Sequence, residues 1–174
     1  MTRSLRLVAV LIAAVLTTRP FAAENDVTLW ITLGDTDQLV EADAYTFKEV
    51  RRITTDPKLH GLAFSADGSK VYLASDRTGN FQVVDVRKGA VVEQINIGTD
   101  PNQMALTKDG RFAYVPMRGE DAVAVVQLEP LKLIKKIPMD KGPHDAITSS
   151  DGSRIYVGAQ FGRSIAVIDP AKQA

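Results

Sequence analysis

The sequence predicts an all-β protein, a partial β-propeller whose four-stranded blades are 42 residues long. Two observations carry this prediction. Residue types recur every 42 positions, and each unit divides into short β-branched segments that are separated by Gly/Asp turns. Segments of this length leave no room for helices of about ten or more residues, so the helical repeat classes are excluded.

An Asp-Gly dipeptide and an aromatic residue define the period. The dipeptides are Asp67-Gly68, Asp109-Gly110 and Asp151-Gly152, and the aromatic residues are Trp30, Tyr72, Tyr114 and Tyr156. A glycine in such a turn can adopt positive φ without steric cost. We expect the aromatic side chains to pack between neighbouring blades.

A third set of positions keeps the same period and contains Asp43, Asp85, Gln127 and Asp169, with Ile53, Ile95 and Ile137 closing the units. We expect these aspartates to accept hydrogen bonds from turn amides after the third strand of each blade. The glutamine at one of the four positions argues against a metal role for the set.

Each unit is read as four antiparallel strands. In the unit at 57–98 the strands fall at 60–64, 70–74, 81–86 and 91–97. The predicted blade repeats lie near 27–56, 57–98, 99–141 and 142–174. The first unit lacks room for its first strand and the last lacks its fourth, so about three and a half blades are expected, with fourteen strands in all.

Fourteen strands are half of the roughly 28 in a seven-bladed ring. Two blade faces would then be exposed to solvent. At roughly 500 Å² of apolar surface per face and about 25 cal/mol/Å², the two faces together would lose on the order of 25 kcal/mol of hydrophobic stabilisation. That exceeds the net stability of a typical domain. We therefore expect either a truncated gene product or a homodimer that completes the ring.

The first 23 residues differ from the rest of the chain. They carry Arg3, Arg6 and Arg19 but no acid, and an apolar run at 7–16 precedes small residues. This pattern is typical of a signal peptide at 1–23, followed by the partial propeller at 24–174, and predicts a periplasmic or secreted protein without a membrane span after cleavage. No basic patch indicates nucleic acid, and the absence of cysteine excludes covalent c-type haem attachment within this chain.

The last unit resembles a known repeat. It contains the segments Gly142-Pro143-His144, Ser150-Asp151-Gly152, Ile155-Tyr156-Val157 and Ile165-Ala166-Val167-Ile168-Asp169. These segments resemble the YVTN-type β-propeller repeat, and the resemblance covers roughly 27–170. The same repeat type is similar to the haem d1 propeller of cytochrome cd1-type nitrite reductases, to methylamine dehydrogenase heavy-chain-like proteins and to lactonase-like propellers. The resemblance implies the fold and leaves the activity open.

Two groups of loops in a propeller emerge at the same end of the central channel, namely those before the first strand and those between the second and third strands. The first group carries His60, Asn102 and His144, which are spaced 42 residues apart. The second group carries Asp35, Asp37, Asp76, Arg77, Arg118, Glu120, Asp121, Gln160 and Arg163. The candidate ligand-binding residues are His60, Asn102, His144, Arg77 and Arg118.

The two histidines allow two interpretations. They are either ligands of a metal or haem, or repeat residues that bond neighbouring backbone, which is the interpretation we favour. Because they stand two blades apart, we expect them to be too distant to share one ion, and a haem d1 site would need further histidines and arginines from blades absent here.

No nucleophile motif, zinc-protease motif or phosphate-binding glycine loop is present, so we predict no catalytic residues, no metal ligands and no required cofactor. The first hypothesis is an exported, non-enzymatic propeller module that binds a protein or small-molecule ligand through its loop face. The alternative is a truncated haem d1 or oxidoreductase-associated propeller, or a lactonase-like enzyme. Visible absorption or stoichiometric metal in the purified protein would favour the alternative.

Overall fold

A computed structural model describes residues 17–18 and 27–173. These residues form four antiparallel sheets, which we number as blades one to four in chain order. Blade one contains β1 (Thr17–Thr18), β2 (Val27–Thr32), β3 (Gln38–Asp43) and β4 (Glu49–Thr54). Blade two contains β5 (Leu59–Phe64), β6 (Lys70–Ser75), β7 (Asn80–Asp85) and β8 (Ala90–Asn96). Blade three contains β9 (Ala105–Leu106), β10 (Phe112–Met117), β11 (Ala122–Gln127) and β12 (Lys132–Pro138), and blade four contains β13 (Pro143–Thr148), β14 (Ile155–Ala159) and β15 (Ser164–Ile168).

Strands pair in chain order within every blade, and a short 3-10 helix at Arg118–Glu120 joins β10 to β11. This arrangement confirms the all-β partial propeller that the repeat predicts. Within the described residues, no helix has the length and apolar character needed to cross a membrane.

The expected count of fourteen strands is one too low for the described part of the chain. The additional strand, β1, pairs with β2 through Thr17 with Thr28 and Thr18 with Val27. Two residues are too few to show the alternation of apolar and polar side chains by which a strand is read from sequence. The predicted signal peptide at 1–23 otherwise lies outside the described residues.

Three apolar clusters fill the spaces between successive blades. Trp30 packs between blades one and two, Tyr72 between blades two and three, and Tyr114 between blades three and four. Each of these side chains is buried. The aromatic position of the repeat therefore has the packing role that the sequence predicts, because each ring fills the wedge between two twisted sheets.

The Asp-Gly turns also form as expected. The φ angles of Gly68, Gly110 and Gly152 are 70°, 69° and 78°, in the region that glycine enters most easily. Hydrogen bonds from Ser65 and Ser69 lower the pKa of Asp67 to about 2. The pKa of Asp151 falls to about 2 through the equivalent serines, so both carboxylates stay ionised in their turns.

The aspartates after the third strands accept turn amides, as predicted. Asp43 Oδ1 accepts the amide of Thr46 at 2.6 Å, and Asp85 Oδ1 accepts that of Lys88 at 2.8 Å. Asp169 Oδ1 accepts the amide of Ala171 at 3.0 Å. These bonds lower the pKa of the Asp43 and Asp85 carboxyls.

The interface between blades one and two contains a charged pair that the repeat pattern does not predict. Glu41 is fully buried at the repeat position that Val83 and Val125 occupy in the next two blades. Its Oε2 lies 2.5 Å from Nε of Arg51. Arg51 also donates from Nη2 to the backbone oxygen of Val86 in blade two and lies over the ring of Trp30. The guanidinium therefore ties blade one to blade two.

Candidate functional site

The candidate site is the mouth of the channel, which we define by His60, Asp76, Asn102, Arg118 and His144. These residues come from blades two, three and four, on first strands, on the segment that precedes β9, or on loops between second and third strands. Blades converge toward the propeller axis, so residues at the inner ends of different blades approach one another.

The two histidines are in contact. Their ring centroids are 5.1 Å apart and their planes are perpendicular. The expectation that they lie too far apart to share one ion is therefore wrong. One blade lies between theirs along the rim of the propeller, but β5 and β13 are both the innermost strands of their blades, where this separation is small.

Two ion pairs flank the histidines at equivalent repeat positions with their charges exchanged. In blade two, Lys58 Nζ lies 3.1 Å from Asp76 Oδ2. In blade three, Asp100 accepts hydrogen bonds of 2.7 and 3.1 Å from the Arg118 guanidinium. Lys58 and Asp100 both have positive φ, 59° and 55°. Each ion pair holds its loop in a similar turn. The mouth residue of the pair is the anionic Asp76 in blade two and the cationic Arg118 in blade three.

Asn102 connects this polar network to the core. It is fully buried, and its Nδ2 donates to the backbone oxygen of Asp100 at 3.0 Å. Asn102 Oδ1 and Asp76 Oδ1 are both buried and accept no hydrogen bond within the described part of the chain. A buried acceptor without a donor is costly, so these two oxygens are sites where an enclosed water would be stabilising.

His144 lies at the edge of an adjoining cavity. The Asp145 carboxylate lies 3.2 Å from Nδ1, which favours the tautomer with its proton on Nδ1 and leaves Nε2 as the lone-pair donor. The cavity has a volume of about 740 Å³ and extends toward blade four. Its lining comprises His144, Asp145, Gly158, Ala159, Gln160, Arg163, Ser164 and Ile165. The Arg163 guanidinium forms no ion pair with another described residue, so its charge is available to a ligand.

Burial governs the charge of His60. Desolvation lowers the pKa of its imidazole below the ordinary value, and the proximity of His144 lowers it further. The Arg118 charge acts in the same direction, whereas Asp76 and Asp145 oppose it. Because the folded pKa lies below that of the unfolded chain, this contribution to stability is present above pH 6.5 and is lost as the pH falls from there toward the folded value.

In a proton NMR titration we expect the His60 ring resonances to have their midpoint below pH 6.5, the ordinary value for histidine. In His144→Gln the midpoint should rise, because a neighbouring group that becomes positive has been removed. An Arg77→Ala control should leave the midpoint unchanged. A wild-type midpoint at or above 6.5 would contradict this description of the site.

Of the five predicted site residues, the structure brings four together. His60, Asn102, His144 and Arg118 belong to the mouth, whereas Arg77 is exposed and has no hydrogen bond or ion pair with any other described residue. Sequence reasoning missed the roles of Lys58, Asp100 and Asp145. The roles of Lys58 and Asp100 could have been predicted because each carries a charge opposite to that of Asp76 or Arg118 at a paired repeat position. The role of Asp145 could have been predicted because it directly follows His144.

Within the described residues, no group of three or more histidine, aspartate or glutamate side chains has an arrangement suited to a metal ion. The mouth therefore offers two imidazoles as donors rather than a complete metal cage.

The model of the cytochrome D1 haem domain matches residues 23–171, nearly the whole chain. The chain belongs to the cytochrome D1 haem domain family. Among curated proteins, this domain is 28% identical over 127 residues to a dihydro-heme d1 dehydrogenase of Pseudomonas aeruginosa, covering 72% of this chain and 26% of that protein. The family match supports the haem d1-type propeller among the resemblances in the sequence, while the YVTN repeat itself stays an expectation.

Solved structures show the same fold. Hydrazine synthase of Kuenenia stuttgartiensis superposes with a TM-score of 0.79 and 24% identity, over 84% of this domain and 44% of that chain. A 6-phosphogluconolactonase-like protein of Bacteroides uniformis superposes with a TM-score of 0.76 and 16% identity, over 84% of this domain and 49% of that chain. This domain thus spans between a quarter and a half of the length of these three proteins.

Proposed function

We propose that this domain is part of a haem d1-binding propeller and that its mouth binds the tetrapyrrole. The observation that carries the proposal is the contact of His60 and His144 at the mouth, with ring centroids 5.1 Å apart, in a chain of this family. The proposal keeps the loop-face binding module expected from the sequence and gives its ligand a chemical class.

The residues present fit this ligand. His144 would hold the iron through Nε2, and Asp145, 3.2 Å from Nδ1, would keep the imidazole in the tautomer that leaves Nε2 free for this role. A cavity of about 740 Å³ beside it combines aliphatic carbons of Ala159 and Ile165 with the charge of Arg163, which suits a largely apolar macrocycle that carries carboxylates. When bound, haem d1 supplies iron-centred redox chemistry that the side chains themselves lack.

The remaining mouth residues have distinct roles in the proposal. His60 stays neutral at physiological pH because its pKa is lowered, so it can accept or donate a hydrogen bond without adding charge. Arg118 is held in place by Asp100 and sets a fixed positive charge near the ligand. The buried oxygens of Asp76 and Asn102 would accept hydrogen bonds from water enclosed beneath the ligand.

We propose that this domain by itself binds haem d1 and does not catalyse a reaction. We also propose that it acts in the periplasm or outside the cell. The proposal of export is supported by the basic and apolar pattern of residues 1–23.

The second candidate function is that of an oxidoreductase acting on dihydro-haem d1. It is favoured by the 28% identity to a dihydro-heme d1 dehydrogenase. Because the domain spans 26% of that relative, such an activity is proposed for a longer assembly that contains this site.

The test is an optical titration of the full chain with haem d1. We expect saturable binding, an affinity about a hundredfold lower in His144→Gln, and an affinity about tenfold lower in Asp145→Asn, the range seen when partners of a metal-ligating histidine are removed. Arg52→Ala, an exposed arginine far from the mouth in sequence, serves as the control and should bind as the wild type. Equal affinity of all four proteins would contradict the proposal.

A further inference from the structure

Blades two, three and four each hold a carboxylate between the two segments that build the mouth. One segment, which we call the leading segment, runs into the first strand of the blade, and the other is the loop between its second and third strands. The carboxylates belong to Asp56, Glu120 and Asp140. Asp56 and Asp140 share one repeat position on the leading segment, where blade three has Gly98, whereas Glu120 lies on the loop.

In blade two, the carboxylate comes from the leading segment. Asp56 Oδ2 accepts hydrogen bonds from Thr78 Oγ1 at 2.6 Å and from Asn80 Nδ2 at 2.7 Å. Thr78 lies on the loop and Asn80 begins β7. The loop that carries Asp76 is therefore fastened to the segment that leads to His60.

In blade three, the carboxylate comes from the other side. Glu120 stands at the repeat position of Thr78, and its Oε1 accepts the backbone amide of Thr99 at 2.6 Å. Lys136 Nζ donates to its Oε2. A Cβ built on Gly98 would overlap Glu120 Oε1, so the missing side chain of that glycine leaves room for the carboxylate.

Blade four has the arrangement of blade two. Asp140 Oδ2 accepts a hydrogen bond from Ser164 Oγ at 2.9 Å, and its Oδ1 accepts the amide of Lys141 at 2.8 Å. Gly162 stands at the repeat position of Glu120, and a Cβ built there would overlap the Asp140 carboxylate. The carboxylate thus keeps its place in space while its position in the sequence changes between blades.

We propose that Asp56, Glu120 and Asp140 are positioning residues of the mouth. Each fastens a leading segment to the loop of the same blade, and these segments carry or adjoin the mouth residues. Ionised acceptors form the stronger hydrogen bonds, which suits a carboxylate to this task. The inference rests on the proposed function in so far as the mouth binds haem d1, because these carboxylates hold the ligand-binding groups in place and do not touch the ligand.

Moving the carboxylate of blade four from one position to the other tests the proposal. Asp140→Gly removes it, and Gly162→Glu adds a second one. Asp140→Gly/Gly162→Glu recreates the arrangement of blade three, with the Lys141 amide as a donor to the new carboxylate. With the wild type these variants form a double-mutant cycle. Glu93→Gln, at an exposed position on β8, is the control.

The first measurement needs no ligand. We expect the nuclear Overhauser contact between the rings of His60 and His144 to weaken in Asp140→Gly and to recover in the double variant. Far-ultraviolet circular dichroism should be the same for all the proteins, which shows that each one folds. An unchanged ring contact in Asp140→Gly would overturn the proposal, and so would a double variant that behaves as Asp140→Gly does.

The second measurement is the affinity for haem d1. We expect it to be about tenfold lower in Asp140→Gly and unchanged in the double variant and in Glu93→Gln. Wild-type protein that binds no haem d1 would refute the proposed function, and the ring contact would still decide the positioning role. Wild-type affinity in Asp140→Gly would overturn the positioning role while haem binding stands.

Discussion

Replacing Tyr114 with alanine should lower the free energy of unfolding by about 4 kcal/mol, the range for removing a large aromatic side chain from a core. Tyr114 is fully buried between blades three and four, among Val123, Val125 and Ile155. Two rigid sheets enclose the ring, so they cannot collapse into the cavity that alanine leaves. Urea unfolding followed by circular dichroism measures the loss.

Tyr156→Ala is the matched control, because it removes the same side chain at the same repeat position in blade four. Its ring is 40% exposed, so the loss should be about 1 kcal/mol or less. Equal losses in Tyr114→Ala and Tyr156→Ala would mean that the aromatic position does not stabilise through packing between blades.

Arg51→Ala should destabilise the fold by about 3 kcal/mol, because it removes one partner of a buried charge pair. Glu41 is inaccessible to solvent, and the same substitution removes the hydrogen bond to Val86 of blade two and the contact with the Trp30 ring. Blade one is therefore expected to detach from blade two before the remaining interfaces open. Native-state hydrogen exchange should show early exchange confined to blade one.

Arg52→Ala provides the comparison. Arg52 pairs with Glu49 on the same strand, and both side chains are well exposed, so solvent screening leaves this surface pair little net contribution to stability. A loss in Arg51→Ala as small as that in Arg52→Ala would contradict the structural role assigned to the buried pair.

Most of the fold could be predicted from the sequence because equivalent positions in each repeat have the same structural role in each blade. The positions of Tyr72 and Tyr114, the turns at Asp67-Gly68 and the capping by Asp43 all follow from local rules that act within one unit. The repeat could not reveal β1, which is two residues long, or the buried charge of Glu41, which stands where the next two blades carry Val83 and Val125.

The mouth was predicted in composition but not in geometry. Spacing along the chain assigned His60, Asn102 and His144 to one end of the channel, but it gave no distance between blades. The contact between the histidines depends on how steeply the blades converge, a property of the packed tertiary structure. For Arg77 the loop position likewise gave no side-chain direction; the structure shows it exposed, and its part in binding stays a prediction.

The most direct test of the account is whether the purified full chain retains haem d1 on size exclusion. We expect haem d1 absorption to co-elute with the wild-type protein and to be lost from the protein fraction in the His60→Gln/His144→Gln double variant, while both proteins elute and unfold alike. Wild-type protein that elutes colourless while haem d1 emerges separately would contradict it, and so would equal retention by the double variant.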